Sequence, residues 1–595
     1  MAESSLAAPG VITPPLQSNV STHLTPEYVL YRDGPRDTSV NPKLARNLIY
    51  SGFGLRNPDD DNQSASRSDT TLKPSMSLVL QPTNHMLHAF RAGPQSTSAG
   101  TCTTTSTNDC GGEELWAFVP FDQLSKLLSR MQPQTRANHT YVMAAPVRFA
   151  DVFLPGSFSK SFTGGTASGS GVWRTVVVMG RGAGGKSLTA LDVTVPGPFT
   201  LQSLQTRPPV IVWNRGNADT SDGNCKSGTA GCTAGANSYN NNAADYAAFA
   251  KMGETWSVPS IGFATAANNV TNRKPSGVEF VAWVGSGYSD VSTEGTTFFA
   301  LDALTGDVIG SSSQAAFTLA AGTSAAAIPN ALPASTSGFA ARPLSFNDPS
   351  APTLAHPATE KVTAVYFPDL HSRVWKFNPD APTTAPTLFK DFSGDNDQPM
   401  ANGVSLINMN SDNTTNKAHL FFEAGNDRRV PLRSSAPLFR MYGYRDDGSA
   451  SQVFAPVDFP QGFRGTVQPA TAFNANGKGR VFFAGTRFNP VTATICASSF
   501  DSVLFALEAA TGGAAYDLNT SGDDRFVTLT NQRVNAVQVV AGKLVVDMGL
   551  GAQNPPPPPA PPQTAPPAPG PNANISVVSN VPGTIPFKLG SSVCR

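Results

Sequence analysis

Gly180-Arg-Gly-Ala-Gly-Gly-Lys-Ser187 matches the phosphate-binding loop pattern letter for letter. That chemistry needs a strand leading in and a helix leading out, whose N-terminal amides and dipole face the phosphates. The strand is present as Trp173-Arg-Thr-Val-Val-Val-Met179, but Leu188-Thr-Ala-Leu-Asp-Val-Thr-Val-Pro-Gly-Pro198 follows the loop. Its β-branched residues and two prolines make a strand. The glycines are therefore expected to turn a hairpin, where positive φ is needed, and nucleotide binding is not expected.

Other chemical constellations fail on spacing. His85-Met-Leu-His88 has the residue types of a metal pair, yet strand residues three apart point to opposite faces. Packed or hydrogen-bonded histidines are expected instead. No GxSxG elbow occurs, and the seven histidines sit in no catalytic context, so no catalytic residue is assigned. Calcium needs six to eight converging oxygens. Asp59-Asp-Asp-Asn62 and Asp391-Phe-Ser-Gly-Asp-Asn-Asp397 are the candidates, but neither has alternating acidic spacing with a downstream acidic ligand. They read as solvated loop acids.

Six cysteines bear on the compartment. Cys102 and Cys110 bracket a Thr-rich loop, and Cys225 and Cys232 a Gly-Thr-Ala loop. Close pairs in polar loops are expected to be local disulfides, and Cys496–Cys594 follows by elimination. No CxxC or Cys/His cluster suggests zinc. Disulfides persist in oxidising compartments, so the chain reads as exported. Met1-Ala-Glu-Ser-Ser lacks a basic region followed by an apolar core, which predicts a processed form or the C-terminal part of a longer protein.

The elements that would position these residues are announced by a repeat. Alanine, leucine and an acid, then a turn, recur as Leu188-Thr-Ala-Leu-Asp-Val-Thr194, Phe299-Ala-Leu-Asp-Ala-Leu-Thr-Gly306 and Phe505-Ala-Leu-Glu-Ala-Ala-Thr-Gly512. A strand-turn unit that cannot bury its apolar face alone is used by stacking copies, and four-stranded sheets repeated about an axis make a β-propeller. The 595 residues carry 42 basic and 42 acidic side chains, so no global field draws the chain to nucleic acid or anionic lipid. Charged residues are only 14%, as expected where Gly, Ser, Thr, Asn and Pro join many short strands. No apolar run approaches the roughly 20 residues of a membrane span.

Residues 1–74 read as an N-terminal extension or linker, 75–552 as the propeller, 553–574 as a proline-rich spacer and 575–595 as a C-terminal strand and tail. Within 75–552, Phe280-Val-Ala-Trp-Val284, Val362-Thr-Ala-Val-Tyr-Phe367, His419-Leu-Phe-Phe422 and Arg480-Val-Phe-Phe-Ala484 have the composition of strands buried on both faces. One short helix is expected over 120–131, with Leu124, Leu127, Leu128 and Met131 as its apolar stripe. Two long loops are expected at about 214–250 and 310–338. Ile575-Ser-Val-Val578 is expected to rejoin the body as a last strand, bringing Cys594 back toward Cys496.

Read in order, these segments resemble the C-terminal propeller domain of the PilY family of type IV pilus tip-associated adhesins. Asn84-His-Met-Leu-His-Ala-Phe90 resembles the family strand NDGMLHAF, and Glu113-Glu-Leu-Trp-Ala-Phe-Val-Pro120 resembles GxELxAxxP. Asp151-Val-Phe153 and Trp173-Arg-Thr-Val-Val-Val178 follow. Gly184-Gly-Lys-Ser-Leu-Thr-Ala-Leu-Asp-Val-Thr194 then resembles GGRGxxALDVT, and Trp283-Val-Gly-Ser-Gly-Tyr288 resembles GNGY. Asp369-Leu-His-Ser-Arg-Val-Trp-Lys-Phe377 is similar to AGDLQGNLWRFD. The agreement is collinear from about 75 to 550. It implies an all-β fold, an irregular seven-bladed propeller with quinoprotein-like repeats and long loop insertions.

Calcium-binding members carry a DxDxDGxxD-type loop before the AGDLQGNLW strand. The equivalent residues 346–361 retain Asn347, Asp348 and the distant Glu360, with Pro349, Pro352 and Pro357 between, so calcium is not expected there. The resemblance implies a non-enzymatic pilus tip protein that supports assembly with minor pilins, surface adhesion and twitching motility. Its partners would be the minor pilins of the tip complex and a host or abiotic surface; it would reach the cell surface through the periplasm. Two competitors are a periplasmic scaffold that is never surface-exposed and a quinoprotein oxidoreductase. The enzyme would need calcium beside pyrroloquinoline quinone, and the chain lacks the adjacent cysteines that many such enzymes have.

Overall fold

A computed structural model of the chain describes residues 10–12, 78–83, 85–91, 114–124, 126–127, 140–143, 145–155, 171–193, 210–217, 247–265, 278–289, 294–295, 297–309, 316–318, 353–355, 362–369, 372–379, 386–392, 398–409, 417–425, 438–474, 477–489, 499–516, 525–540, 543–550 and 575–579. The chain divides into two compact units. One comprises residues 1–319, 356–365 and 377–386; the other comprises 320–355, 366–376 and 387–595.

In the first unit, β1 (Gly10–Ile12), β2 (Leu78–Pro82), β3 (Leu87–Arg91) and β4 (Glu114–Phe118) form one sheet in chain order. The next sheet is β5 (Val147–Pro155), β6 (Gly171–Met179), β7 (Ser187–Asp192) and β8 (Val210–Gly216). It is followed by β9 (Ser260–Thr265), β10 (Val278–Gly285), β11 (Thr297–Asp302) and β12 (Ala316–Thr318). The first strands lie side by side, β1 against β5 and β5 against β9. A fourth sheet, β13 (Thr353–Ala355), β14 (Ala364–Pro368), β15 (Arg373–Phe377) and β16 (Thr387–Asp391), has all its residues except Ala364, Val365 and Phe377 in the second unit.

The second unit adds three sheets. They are β17 (Ser405–Met409), β18 (Lys417–Glu423), β19 (Arg440–Asp446) and β20 (Ser451–Asp458); then β21 (Arg464–Gly465), β22 (Ala470–Phe473), β23 (Gly479–Asn489), β24 (Ser499–Glu508) and β25 (Phe526–Leu529); then β26 (Gln532–Val540), β27 (Lys543–Leu550) and β28 (Ile575–Ser579). Here β17 lies against β22, and β22 against β26. The segment expected to return beyond the prolines does so, because Ile575–Ser579 pairs antiparallel with Lys543–Asp547.

The three sequence repeats occupy the third strand of three different sheets, β7 and β11 in the first unit and β24 in the second. β7 and β11 are buried at every position, the polar Ser187, Thr189, Asp192, Thr297 and Asp302 included. The second and third copies make the same turn. Asp302 N–H donates to Asp307 O and Gly306 N–H to Asp302 O, while Glu508 N–H donates to Gly513 O and Gly512 N–H to Glu508 O. Gly306 and Gly512 have φ of 69° and 70°, a region that favours glycine. Asp302 Oδ1 accepts the amides of Leu304 and Thr305 at 2.8 and 3.3 Å, which explains the acid: it caps the turn.

Each of these turns receives an aromatic ring from the fourth strand of the preceding sheet. Trp213 of β8 packs on Gly306 and donates its Nε1–H to Ala303 O at 3.0 Å. Phe454 of β20 packs on Gly512. Behind these contacts Val176, Leu188, Phe249, Ala282 and Leu301 form one core, and Phe482, Leu504, Val534 and Val546 another.

Four expectations change. The 120–131 helix is, among the described residues, a 3₁₀ turn at Phe121–Gln123 with short helical stretches at Leu124 and Lys126–Leu127. Its stripe does not face inward as a unit: Leu124 is 48% exposed, Leu127 packs against the core, and Leu128 and Met131 lie outside the described residues. Asp122 and Gln123 are the buried side chains, because Arg181 claims Asp122. The 310–338 loop contains β12, paired with β11. The 214–250 loop begins inside β8 and ends in a helical turn at 247–249, its middle lying outside the described residues. Gly10–Ile12, in the segment read as an extension, supplies the first strand of the first sheet.

Candidate functional site

The phosphate-loop lookalike turns the β6–β7 hairpin, and its donors are already engaged. The amide of Arg181 donates to Thr255 Oγ1 at 2.6 Å and that of Gly182 to Thr255 O at 3.2 Å. Gly184 and Gly185 amides donate to Arg181 O and Gly182 O. Lys186 Nζ, the atom that would meet a phosphate, donates to Glu294 Oε2 at 2.6 Å. Gly182 has φ of 56°, and a Cβ on Gly180 or Gly184 would lie 2.3 Å from Thr255 O or 2.1 Å from Val142 O. The glycines serve close approach, and a strand follows, as expected.

Arg181 is wholly buried. Its Nε and Nη2 grip Asp122 Oδ2 and Oδ1 at 3.0 and 2.8 Å, and Nη2 also donates to Thr189 Oγ1 at 2.6 Å and Asn214 Oδ1 at 3.1 Å. Gln123 Nε2 donates to Asp122 Oδ2 at 2.8 Å. Burial would raise the Asp122 pKa, but the Arg181 charge and these bonds outweigh it and hold the carboxyl below its ordinary value. A fork-on-carboxylate pair of this kind fixes geometry.

A second cluster sits in the strand resembling AGDLQGNLWRFD. Asp369 Oδ2 accepts from Arg373 Nε at 2.8 Å and Trp375 Nε1 at 3.0 Å, and Oδ1 accepts the Arg373 amide at 3.1 Å. Ser372 stands where that pattern has glycine and keeps a left-handed φ of 66°. Its hydroxyl compensates by accepting the buried Gln398 amide at 2.8 Å.

The third cluster surrounds Glu423, at the end of β18. Its Oε1 accepts from the Val467 amide at 3.1 Å and Asn402 Nδ2 at 3.4 Å. Burial raises its pKa well above the ordinary carboxyl value despite those donors. Gly465 makes room for it, since a Cβ there would lie 2.7 Å from the carboxyl carbon.

The histidine pair is split. His85 lies in the Thr83–Met86 turn rather than on a strand, and His88 on β3 meets Glu114 Oε1 through Nδ1 at 2.9 Å. Among the described residues no group of three His, Cys, Asp or Glu side chains is placed to hold a metal. Cys102, Cys110, Cys225, Cys232, Cys496 and Cys594, the loop residues Asn347, Asp348 and Glu360, and the acids 59–61, 395 and 397 all lie outside the described residues. Sequence reading missed the Asp122, Asp369 and Glu423 clusters. Asp122 and Arg181 are 59 residues apart, and only the arginine inside the glycine turn hinted at a buried partner.

Repeated antiparallel sheets joined through equivalent third-strand turns define an all-β protein of the β-propeller class. No family model matches the chain. The type IV pilus biogenesis factor PilY1 homolog of Xylella fastidiosa (strain Temecula1 / ATCC 700964) is 29% identical over 177 residues, 28% of this chain and 10% of the relative. This stretch of the chain is thus similar to a PilY1 homolog, the resemblance that the collinear motifs had suggested, and it spans only a tenth of that relative's length. Among solved structures, the Pseudomonas aeruginosa PilY1 C-terminal domain aligns with a TM-score of 0.38 at 14% identity, covering 80% of this chain and 76% of that one. A europium-containing methanol dehydrogenase aligns with a TM-score of 0.35 at 9% identity, covering 80% and 74%. Neither likeness bears on function.

Proposed function

We propose that the chain is the propeller part of a non-enzymatic type IV pilus tip protein, exported through the periplasm, which supports pilus assembly with minor pilins and surface adhesion and motility. The sequence match to a type IV pilus biogenesis factor carries this reading. The buried ionisable groups support it: Asp122, Arg181, Asp369 and Arg373 are each committed to holding a turn, a structural rather than a turnover role. In this reading the seven sheets are the blades of one propeller, and the 346–361 loop is not a calcium switch.

Shearing pili from cells that make a tagged form of the chain tests the proposal. Co-purification with minor pilins, and loss of surface pili on deletion, are expected. A protein that stays wholly cell-associated, in cells whose pili are unchanged by deletion, sinks the tip role. Bound quinone visible by its absorption, with dye-linked alcohol oxidation, would favour the oxidoreductase. Micromolar calcium binding that disappears on Asp348→Ala would restore the calcium loop.

A further inference from the structure

Lys186 and Asn217 face each other at the mouth of the β7–β8 hairpin. Ser187 pairs with Gly216, and one step further out the Asn217 amide donates to Lys186 O at 3.0 Å. Residues directly opposite on antiparallel strands send their side chains to the same face. Gly216 lets the strands close here, since a Cβ on it would lie 2.5 Å from Lys186 O.

Glu294, just before β11, reaches between them. Its Oε2 accepts from Lys186 Nζ and from Ser289 Oγ, each at 2.6 Å, and its Oε1 accepts from Asn217 Nδ2 at 2.9 Å. The same Nδ2 is also aimed at Met252 O at 3.0 Å and Ala250 O at 3.2 Å. Glu294 and Asn217 are buried, and Lys186 is about a third exposed. A salt bridge alone needs only the amine and one carboxylate oxygen. Here a single carboxyl touches an amine with one oxygen and the nitrogen of a primary amide with the other. That is the arrangement in which a proton can be carried from nucleophile to leaving group.

We propose that Lys186 and Asn217 become joined by an intramolecular amide bond, with Glu294 as the proton-transfer group. Glu294 Oε2 takes a proton from the Lys186 ammonium, and the free amine attacks Cγ of Asn217. The carboxyl delivers that proton through Oε1 to Nδ2 and takes the second proton from Nζ. The Cγ–Nδ2 bond breaks as the Nζ–Cγ amide is completed. Ammonia leaves and accepts the remaining proton from Glu294, which returns to carboxylate. One ammonium side chain and one primary amide thus become one secondary amide and one ammonium ion, with no oxidant and no nucleotide. Ser289 orients the carboxylate throughout.

The product would be a covalent staple across the hairpin mouth. It restricts the unfolded chain as any cross-link does, but reductants do not open it. The inference does not depend on the pilus reading.

Intact mass spectrometry of the full chain, reduced and denatured, tests it. The expected mass is that of the sequence less one ammonia. Trypsin should leave Lys186 uncut and yield one branched peptide carrying both residues. Lys186→Arg keeps the ion pair but not the nucleophile, and should restore the full mass; Glu294→Gln should do the same. A wild-type mass equal to the sequence, with cleavage after Lys186 and a separate Asn217 peptide, overturns the proposal even if a variant fails to fold. A loss of ammonia that persists in Lys186→Arg overturns it too, because it would then come from another asparagine or glutamine.

Discussion

The indole of Trp213 lies so close over Gly306 that a Cβ on that glycine would sit 2.5 Å from its Cδ2. From the same strand, two residues on, Arg215 Nη2 donates to Thr305 O at 2.5 Å. Two successive same-face residues of β8 thus hold the turn of the next sheet, one by packing and one by a charged donor. Phe454 repeats the packing on Gly512, where a Cβ would lie 2.8 Å from its Cγ. The repeated Thr-Gly is the receiving half of an inter-sheet joint.

Gly306→Ala should therefore destabilise by about 2–4 kcal/mol, combining left-handed strain with overpacking against the indole. Gly448→Ala is the control. Its φ is 90° with nothing within 4 Å, so only the strain, about 1–2 kcal/mol, should appear. Denaturant midpoints followed by circular dichroism compare the two, and equal losses would refute the packing argument.

Removing Asp122 leaves the buried Arg181 charge uncompensated. Asp122→Ala should cost about 3–5 kcal/mol, and adding Arg181→Met should recover part of that loss. The folded Asp122 carboxyl is held below its ordinary value of 3.8, so its contribution is complete above that pH and is lost as pH falls through the folded value. A double mutant no more stable than Asp122→Ala would show the pair to be uncoupled.

Glu423 has the opposite sign. With its folded pKa well above 4.5, the unfolded chain ionises first as pH rises, and stability falls from about that pH upward to the folded value. Glu423→Gln removes this slope, so its stability relative to wild type should improve steadily between mildly acidic and neutral pH. Parallel pH profiles for the two proteins would contradict a neutral buried acid.

Ser372 sets a ranking. Glycine relieves its left-handed strain but abandons the Gln398 amide, whereas alanine keeps the strain and loses the bond. An unpaired buried donor costs about 1–3 kcal/mol. Wild type should be most stable, Ser372→Gly next and Ser372→Ala least. A stabilised glycine variant would mean that the hydroxyl contributes little.

The disulfides await chemistry. Non-reducing peptide maps should join Cys102 to Cys110, Cys225 to Cys232 and Cys496 to Cys594, the two short loops contributing about 2–3 kcal/mol each. Free thiols at Cys496 and Cys594 would defeat the third assignment.

Much of the fold was legible because it is written in local pattern. The triplicated Ala-Leu-acid unit, the β-branched runs and the prolines after Thr194 each follow from two-residue periodicity or turn chemistry. The polar clusters were not legible, because their partners meet through tertiary packing. Glu423 reaches Val467, and Asp122 reaches Arg181, across distances in sequence that no short window spans. The segment expected to be a helix at 120–131 is helical where it is described, but its leucine stripe is not the face that packs inward. Its leucine spacing is helical, but the burial of Asp122 and Gln123 decided which way the segment turned.

The pairing of Ile575–Ser579 with β27 has a consequence for biogenesis. The strand is contributed after residues 551–574, so the sheet of Gln532–Val540 and Lys543–Leu550 carries an open rim until Ile575–Ser579 has been delivered. An unpaired rim of backbone donors and acceptors is a template for any extended segment that arrives first. Joining ends across a longer tether adds only slowly to the entropy of closure, so the chain's own strand competes well once present. Delivery of Ile575–Ser579 thus acts as a timer: before it, the rim is open to a foreign strand or a chaperone, and after it the seat is taken.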